Sequence, residues 1–259
     1  MISNLPHALV REVSASLGEC QLSFVDRAPI DVGLAQRQLR AYQQALAEAG
    51  CTLVSVPAEE QMPDAVFVED TVLVLDELAV MTRPGAASRR SEAASVAEVI
   101  GRYRPLLWID DPGTLDGGDV LRIGRDIYVG ASARSNDTAV AQLRKAVLGY
   151  GYRVHQVAIQ GCLHLKSAVT QINDDTLLVQ PQWLVDAQIF AGYRRIEVDP
   201  AEEHAANALR IGRKVVYPSC FPRTQARIES IGVEVLAVDV SELQKAEGAV
   251  TCCSVLFKA

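Results

Sequence analysis

A five-residue repeat is the feature that most constrains how this chain can fold. The run Leu-Arg-Ile-Gly-Arg occurs at residues 121–125 and again at residues 209–213, each time between two strand-like stretches. The first copy predicts a β-hairpin that turns at Gly124 and Arg125, and the second copy repeats it. Identity over five residues with matching flanks indicates an internal repeat, so we expect the same supersecondary unit at both places.

The repeated unit extends beyond the hairpin. Stretches with apolar residues at helical spacing are each followed by a short strand-like run. The predicted helix and strand pairs are 34–49 with 51–56, 92–103 with 105–109, 137–150 with 153–158, and 223–231 with 233–238. Strand, helix, strand and hairpin thus recur about every 40–50 residues, a period typical of propellers and repeat arrays.

The two ends of the chain predict a closed ring. The strand-like run at 248–257 needs the strand at residues 5–13 to complete its unit. Four or five such units around an axis would place the starts of their hairpins at one central site.

Composition favours one enzyme-sized domain over residues 1–259. A chain of 259 residues with 49% hydrophobic residues can bury a large core, and its prolines and glycines are spread through turns rather than gathered in a linker. The net charge of −7 argues against a nucleic acid or an anionic membrane as partner and is compatible with a small cationic substrate. The sequence leaves open whether the protein is a monomer or a homodimer.

Cysteine usage and the lack of targeting patterns predict a cytoplasmic protein. Residues 1–6 show neither a basic start nor an apolar core, so no signal peptide is expected, and no apolar run is long enough to span a bilayer. Six cysteines are scattered without a CxxC pair, which predicts free thiols and no structural zinc site. We expect no metal and no cofactor.

Polar residues inside apolar runs are the candidates for chemistry, because an unpartnered buried charge is costly. They are Glu69, Asp70, Asp116, Asp119, His164 and Cys252. Each of these residues can also have a purely structural role. An acidic pair can end a strand, and Asp-Gly-Gly-Asp can be a plain turn. A histidine between leucines, or a cysteine, can be a core residue. However, each falls where a unit begins its inner strand, and this shared position favours one common site.

The last strand-like run distinguishes its two thiols. With alternating side chains, Cys253 shares the more apolar side with Val255 and Phe257, whereas Cys252 shares the other side with Ser254. We therefore expect Cys253 in the core and Cys252 facing a polar space. A cysteine, a histidine and carboxylates at one place are typical of a thiolate nucleophile with a general acid and base beside a pocket for a cation.

Five motifs together resemble the dimethylarginine dimethylaminohydrolase family, part of the guanidine-modifying superfamily with arginine deiminases and amidinotransferases. They are residues 63–70 (PDAVFVED), 82–90 (TRPGAASRR), 115–120 (LDGGDV), 163–167 (LHLKS) and 251–256 (TCCSVL), in the family's order and over nearly the whole chain. The resemblance implies an α/β fold, the five-bladed ββαβ propeller with pseudo-fivefold symmetry known as the pentein fold.

The resemblance also implies an activity and the residues that carry it. The expected reaction hydrolyses Nω-methylated arginine, either asymmetric dimethylarginine or monomethylarginine, to citrulline and an alkylamine through a covalent cysteine adduct. Cys252 is implied as nucleophile, His164 as proton donor and base, and Asp116 as the carboxylate near His164. The implied substrate-binding residues are Asp70 and Glu69 for the guanidinium, Arg89 and Arg134 for the α-carboxylate, and Asp64 with the backbone of Leu22 and Ala246 for the α-amino end.

Three other interpretations remain open at the level of the sequence. An arginine deiminase-like enzyme, or one acting on another N-substituted arginine, would carry the same Cys, His and carboxylate set. A non-catalytic propeller could bind arginine-like ligands or partner proteins. Cys252 and His164 could also capture zinc, which would inhibit the enzyme.

Overall fold

Fifteen short strands form five separate three-stranded sheets in the computed structural model, which describes residues 5–259. In chain order the strands are Pro6–Arg11 (β1), Thr52–Val56 (β2), Val72–Val74 (β3), Ala79–Met81 (β4), Leu106–Trp108 (β5), Val120–Ile123 (β6), Asp126–Ala131 (β7), Arg153–Ala158 (β8), Val169–Gln171 (β9), Thr176–Val179 (β10), Arg194–Glu197 (β11), Leu209–Ile211 (β12), Lys214–Pro218 (β13), Glu234–Val238 (β14) and Val255–Lys258 (β15). Residues 1–4, part of the stretch without a leader pattern, lie outside the described residues.

Every sheet has the same topology, in which an inner strand runs antiparallel to a middle strand and the outer strand runs parallel to the middle one. The sheets are β15-β1-β2, β3-β4-β5, β6-β7-β8, β9-β10-β11 and β12-β13-β14. The five inner strands (β3, β6, β9, β12 and β15) all contribute residues to one channel. The expected five-bladed propeller is therefore confirmed.

Parallel outer strands require crossover connections, and four of the five crossovers carry an α-helix. These helices are Val32–Glu48 (α1), Ala93–Ile100 (α2), Asp137–Val147 (α3) and Pro222–Glu229 (α5); two short helices, Leu165–Ala168 (α4) and Ser241–Gln244 (α6), lie outside the crossovers. The fourth crossover, which lies wholly within the described part of the chain, has two 3-10 turns at Pro181–Trp183 and Ala187–Phe190 instead. The side chains of Gln180 and Asp186 cap the N-termini of these turns by accepting the N–H groups of Gln182 and Gln188.

Local signals explain where the crossover helices begin and end. The Asp31 carboxylate accepts the Leu34 N–H at 2.8 Å and starts α1. Gly50, with φ of +99°, lies just after α1 in a conformation that suits glycine, as the sequence predicts. The buried face of α1 includes Leu39 and Tyr42, which pack into the core of the first blade.

The Leu-Arg-Ile-Gly-Arg repeat encodes a contact between neighbouring blades. Gly124 and Gly212 both have φ of +60° at the first position of the hairpin turn. The Arg122 guanidinium donates to Asp76 at 2.8 Å, in the hairpin turn of the preceding sheet. In the second copy Arg210 donates to Asp174 at 2.5 Å, again in the preceding hairpin turn.

The chain closes its own ring. β15 pairs antiparallel with β1, with Pro6 opposite Lys258 and Leu9 opposite Val255. The predicted pairing of the two ends is therefore confirmed. The prediction of one domain over residues 1–259 stays a prediction.

The prediction that residues 248–257 form one strand is wrong for residues 248–254. A helical turn precedes three of the inner strands, at Val68–Thr71, Gly117–Asp119 and Leu165–Ala168, and the terminal strand begins only at Val255 after turns that contain Cys252. The apolar residues around each turn are buried, so their sequence reads like a strand. In these turns successive side chains are spread around a helical axis, whereas in a strand they would alternate between the two faces of the sheet.

Among residues 5–259, no helix combines the length and apolar character needed to cross a membrane. All six cysteines lie in this part of the chain and are free thiols.

Closure of the ring predicts that the terminal strand carries a large share of stability. Phe257 in β15 is 6% exposed and its ring centroid lies 4.9 Å from that of Tyr103. We expect Phe257→Ala to lower the free energy of unfolding by about 3–5 kcal/mol, measured by urea denaturation. Lys258→Ala, on the exposed next residue, is the matched control and should change it by less than about 0.5 kcal/mol. Equal effects of the two variants would contradict this account of closure.

Candidate active site

A small cavity brings together most of the residues that the sequence singled out. The predicted residues among those that line it are Asp64, Asp70, Arg89, Arg134, His164, Ala246 and Cys252. They come from segments that precede the inner strands or follow the middle strands of several blades, which explains their wide separation in sequence. Leu22, Glu69 and Asp116 are not among the described residues that line the cavity.

His164 lies immediately before α4 and is held by a carboxylate behind it. Its Nε2 lies 3.1 Å from Oδ2 of Asp116, which is fully buried, and the other Asp116 oxygen accepts the Gly85 N–H at 2.8 Å. Burial lowers the pKa of His164, but the carboxylates of Asp70, Asp116 and Asp119 outweigh burial and raise this pKa to about 9. The imidazole therefore carries a proton at neutral pH.

Asp70 is a buried carboxylate of the same charge network. Its Oδ2 accepts from Arg89 Nη1 at 2.6 Å and its Oδ1 accepts the Gly118 N–H at 2.9 Å. Although burial acts to raise the pKa of Asp70, the charges of Arg89 and His164 lower it below its usual value, so the group is ionised.

The two predicted arginines have different surroundings. Arg89 is 5% exposed and donates to Asp70, to Glu92 at 2.8 Å and to the backbone oxygens of Asp64 and Phe67. Most of its N–H groups are thus occupied by protein acceptors. Arg134 donates from Nη2 to the Ser23 hydroxyl at 2.8 Å.

The predicted positions of the two thiols, Cys253 in the core and Cys252 facing a polar space, are confirmed. Cys253 is fully buried, whereas Cys252 is partly exposed and lines the cavity. Burial of the Cys252 side chain, together with the nearby carboxylates of Glu69 and Asp70, raises the pKa of the thiol to about 12. Without a cation in the cavity, this thiol keeps its proton at neutral pH.

Glu69 faces the channel rather than the cavity. Its Oε1 pairs with Lys166 Nζ at 2.5 Å and its Oε2 accepts the Thr251 hydroxyl at 2.8 Å. Its backbone N–H donates to the carbonyl oxygen of Cys252 at 3.2 Å, so Glu69 positions the cysteine turn. Sequence reasoning missed Lys166, although a lysine inside the apolar run 163–169 is a signal of a buried partner.

The predicted amino-binding group is organised around Asp64. Both oxygens of Asp64 accept the Gln21 N–H, at 3.2 and 3.0 Å. Leu22, next to Gln21, packs against the core of the first blade. Ala246 lines the cavity from the segment that leads to the cysteine turn.

Asp119 connects three of the predicted residues, a role that its sequence position beside Gly118 did not reveal. Its Oδ1 accepts the N–H of Leu165, the residue after His164, at 3.0 Å. Its Oδ2 accepts the hydroxyls of Ser135 at 2.6 Å and Ser132 at 2.5 Å. These hydroxyls in turn accept the backbone N–H of Asp116 at 3.2 Å and of Arg134 at 3.0 Å.

The glycines of the Asp-Gly-Gly-Asp motif are required by close packing. A Cβ at Gly117 would overlap the carbonyl oxygen of Glu69, and a Cβ at Gly118 would overlap the imidazole of His164. The motif is therefore more than a turn signal, because it lets the backbone approach two site residues.

One group of described side chains could offer ligands to a metal. Atoms of Asp70, Asp116 and His164 lie within 4.8 Å of one another and all three residues are buried. The Asp70 oxygens already accept from Arg89 and Gly118, and Asp116 from Gly85. The group works as a hydrogen-bonded charge network around the imidazole.

Five ββαβ-type blades and a cavity that combines a thiol, an imidazole and carboxylates define the class, an α/β-propeller of the guanidine-modifying superfamily. The sequence matches the arginine deiminase family over residues 39–216. It is 41% identical over 252 residues to the N(G),N(G)-dimethylarginine dimethylaminohydrolase of Streptomyces coelicolor, covering 97% of this chain and 96% of that protein. The chain belongs to the dimethylarginine dimethylaminohydrolase family.

Solved structures agree with this assignment. The Pseudomonas aeruginosa family member, as a cysteine-to-serine mutant complexed with citrulline, superposes with a TM-score of 0.93 at 32% identity, covering 98% of this chain and 99% of that chain. The N-terminal domain of ArgZ, a cyanobacterial arginine dihydrolase, shares the fold with a TM-score of 0.87 at 19% identity and covers 97% of both chains.

The connections made by Asp119 predict a large stability effect. Asp119→Ala leaves the Leu165 N–H and two serine hydroxyls without their buried acceptor, so we expect the free energy of unfolding to fall by about 2–4 kcal/mol. Asp110→Ala, at an exposed position, is the control and should change it by less than about 0.5 kcal/mol. Urea denaturation followed by circular dichroism measures both. A loss no larger than that of the control would show that Asp119 does not hold these segments together.

Proposed function

We propose that the protein hydrolyses Nω-methylated arginine to citrulline and methylamine or dimethylamine through a covalent adduct on Cys252. The observation that carries the proposal is one cavity lined by Cys252, His164 and Asp70, in a chain 41% identical to a dimethylarginine dimethylaminohydrolase over nearly its full length. The citrulline complex of the Pseudomonas aeruginosa relative supports the same product.

The cavity suits an amino acid with a cationic side chain. A guanidinium can donate paired N–H groups to carboxylate oxygens, and Asp70 supplies an ionised carboxylate next to Cys252. Glu69 contributes negative charge from the channel side, although its own oxygens are engaged by Lys166 and Thr251. In this arrangement the guanidinium carbon lies at the thiol.

The α-carboxylate and the α-amino group of the substrate bind at the other end of the cavity. Arg134 and Arg89 take the α-carboxylate, and because most of the Arg89 N–H groups have protein acceptors, Arg134 makes the larger contribution. Asp64 and the backbone of Leu22 and Ala246 take the α-amino group. Fixing both ends holds the guanidinium carbon in line for attack, an effect that can supply several kcal/mol.

Substrate binding activates the nucleophile. The carboxylates of Glu69 and Asp70 help to keep the Cys252 thiol protonated in the free protein. A bound guanidinium offsets these negative charges and lowers the pKa of the thiol, so the thiol releases its proton to solvent and the thiolate forms when the substrate is present. The sulfur then attacks the guanidinium carbon and a tetrahedral adduct forms.

His164 moves protons in both halves of the reaction. As imidazolium, it protonates the departing methylamine or dimethylamine when the carbon–nitrogen bond breaks, which leaves a thiouronium on Cys252. The neutral imidazole then takes a proton from water, whose oxygen attacks the same carbon. When the carbon–sulfur bond breaks, the new oxygen gives up its remaining proton, which the amine product takes up, and citrulline leaves. The thiolate of Cys252 and the imidazolium of His164 are restored, and one water is consumed for each amine formed.

The sequence also predicts the charge of the partner, the location of the protein and its oligomeric state. The negative net charge of the chain supports a small cationic partner rather than a nucleic acid. The cytoplasmic location and the choice between monomer and homodimer stay predictions.

The assignment of the nucleophile predicts opposite results at two adjacent residues. We expect Cys252→Ser to reduce citrulline release from asymmetric dimethylarginine by at least about 10³-fold, because the hydroxyl is a far weaker nucleophile at this site. Cys253→Ala, which changes only the buried thiol, should retain activity within about threefold. The measurement is a colorimetric citrulline assay with arginine, monomethylarginine and asymmetric dimethylarginine as parallel substrates.

The same assay separates the alternative functions. Turnover of arginine in preference to the methylated substrates would indicate an arginine deiminase-like enzyme. An inactive Cys253→Ala variant with an active Cys252→Ser variant would refute the nucleophile assignment. No citrulline from any of the three substrates would favour a binding protein.

The raised pKa of His164 predicts the pH dependence of turnover. Only the imidazolium can protonate the leaving amine, so kcat/KM, which reports the free enzyme, should fall as the pH rises through about 9. Asp116→Asn removes a negative charge that raises this pKa, so the fall should move to lower pH by about one unit. Rate profiles from pH 6 to pH 10.5 measure both proteins. A falling limb at the same pH in both would contradict the role of Asp116.

A further inference from the structure

Glu247 lines the catalytic cavity but has no role in the proposed catalytic scheme. It follows Ala246 and lies five residues before Cys252. Among residues 5–259 it is the only non-glycine residue with a positive φ, at +59°. Side chains rarely adopt this conformation, and a residue held in it is usually fixed by its contacts.

One oxygen of Glu247 holds a surface loop. Its Oε1 accepts three successive backbone N–H groups, from Ser23 at 2.7 Å, from Phe24, and from Val25 at 2.9 Å. Leu22 packs against the core of the first blade, but the loop beyond it has little apolar burial, since Phe24 is 54% exposed and Val25 is 39% exposed. Polar contacts to the cavity wall therefore fix residues 23–25.

The same loop is anchored at two further points by cavity residues. Asp64 accepts the Gln21 N–H, and Arg134 donates to the Ser23 hydroxyl at 2.8 Å. Glu247, Asp64 and Arg134 all line the cavity. The loop from residue 21 to residue 25 is thus tied to the groups proposed for the amino acid end of the substrate.

The second oxygen of Glu247 is buried and has no hydrogen-bond partner among residues 5–259. A buried carboxylate oxygen without a donor is costly, so a donor supplied by a ligand would be favourable. Because Ala246 and Asp64 lie at the proposed amino end, the substrate α-ammonium is the cationic donor nearest to Glu247. An ammonium has three N–H groups to share between such acceptors.

We propose that Glu247 is a substrate-binding residue that accepts a hydrogen bond from the α-ammonium and at the same time holds the loop at residues 21–25. Its Oε2 accepts a hydrogen bond from the ammonium while its Oε1 keeps the three loop N–H groups. The inference rests on the proposed function for the orientation of the substrate. In this role Glu247 favours binding of guanidino compounds that carry an α-amino group over those that lack it.

Two substitutions test the roles of the two Glu247 oxygens separately. In Glu247→Gln the side-chain oxygen stays with the three loop N–H groups, because an amide NH₂ cannot accept hydrogen bonds from them. The NH₂ group then takes the place of Oε2 and faces the ammonium, to which it cannot offer an acceptor. Glu247→Ala removes both contacts. Binding is measured by calorimetry in the Cys252→Ser background, with monomethylarginine and with its analogue that lacks the α-amino group, so no turnover is needed.

We expect Glu247→Gln to weaken binding of monomethylarginine by about tenfold or more and to change binding of the deaminated analogue by less than about twofold. Glu247→Ala should weaken binding of both ligands. It should also speed hydrogen exchange of the peptide that contains residues 21–27, whereas Glu247→Gln should not. Glu98→Gln, an equal change of charge at an exposed position, should leave every one of these measurements unchanged.

Equal weakening of both ligands by Glu247→Gln, or no weakening of either, would overturn the inference. So would a Cys252→Ser protein that binds monomethylarginine no better than its deaminated analogue. These outcomes are distinct from failure of the proposed function, which is scored by citrulline release from the protein with Cys252 intact. Melting temperatures of the variants within a few degrees of the parent establish that each one is folded.

Discussion

The buried charge balance around His164 is the constraint on which the rest of the structure depends. Asp70, Asp116 and Asp119 are all 2% exposed or less, and ionised groups at such depth are costly unless they are paired and hydrogen-bonded. Asp70 has Arg89, Asp119 has two serine hydroxyls and a backbone N–H, and all three carboxylates act together on the imidazole. This arrangement keeps a proton on the imidazole at neutral pH, as an acid for a departing amine requires.

The propeller is what brings these groups together. Because the inner strands of five blades line one channel, the segments that precede them converge at one end of it, whatever their distance in sequence. Short helical turns at these points direct single side chains towards the cavity while their apolar neighbours stay in the blade cores. The site is thus built on turns held by strands, with Asp119 and Glu69 as ties between them.

The sequence predicted features that repeat or follow periodicity, and it missed features that depend on contacts between distant segments. The duplicated Leu-Arg-Ile-Gly-Arg run and the pairing of the chain ends predicted a closed ring of four or five units, and the family resemblance implied five. Alternation placed Cys253 in the core and Cys252 outside it, although the residues lie in a turn. Periodicity could not show that Glu69 turns to Lys166, 97 residues away, or that Glu247 holds a loop more than 220 residues away.

Direct titration of the His164 ring tests the central claim most closely. Proteins labelled with ¹⁵N-histidine give ring signals for four histidines, and a His164→Gln variant assigns the one in the cavity. The account predicts that this ring keeps its proton up to a midpoint near pH 9 in the ligand-free protein. A midpoint near the ordinary value of 6.5 would show that the surrounding carboxylates do not hold the proton, and would contradict the account.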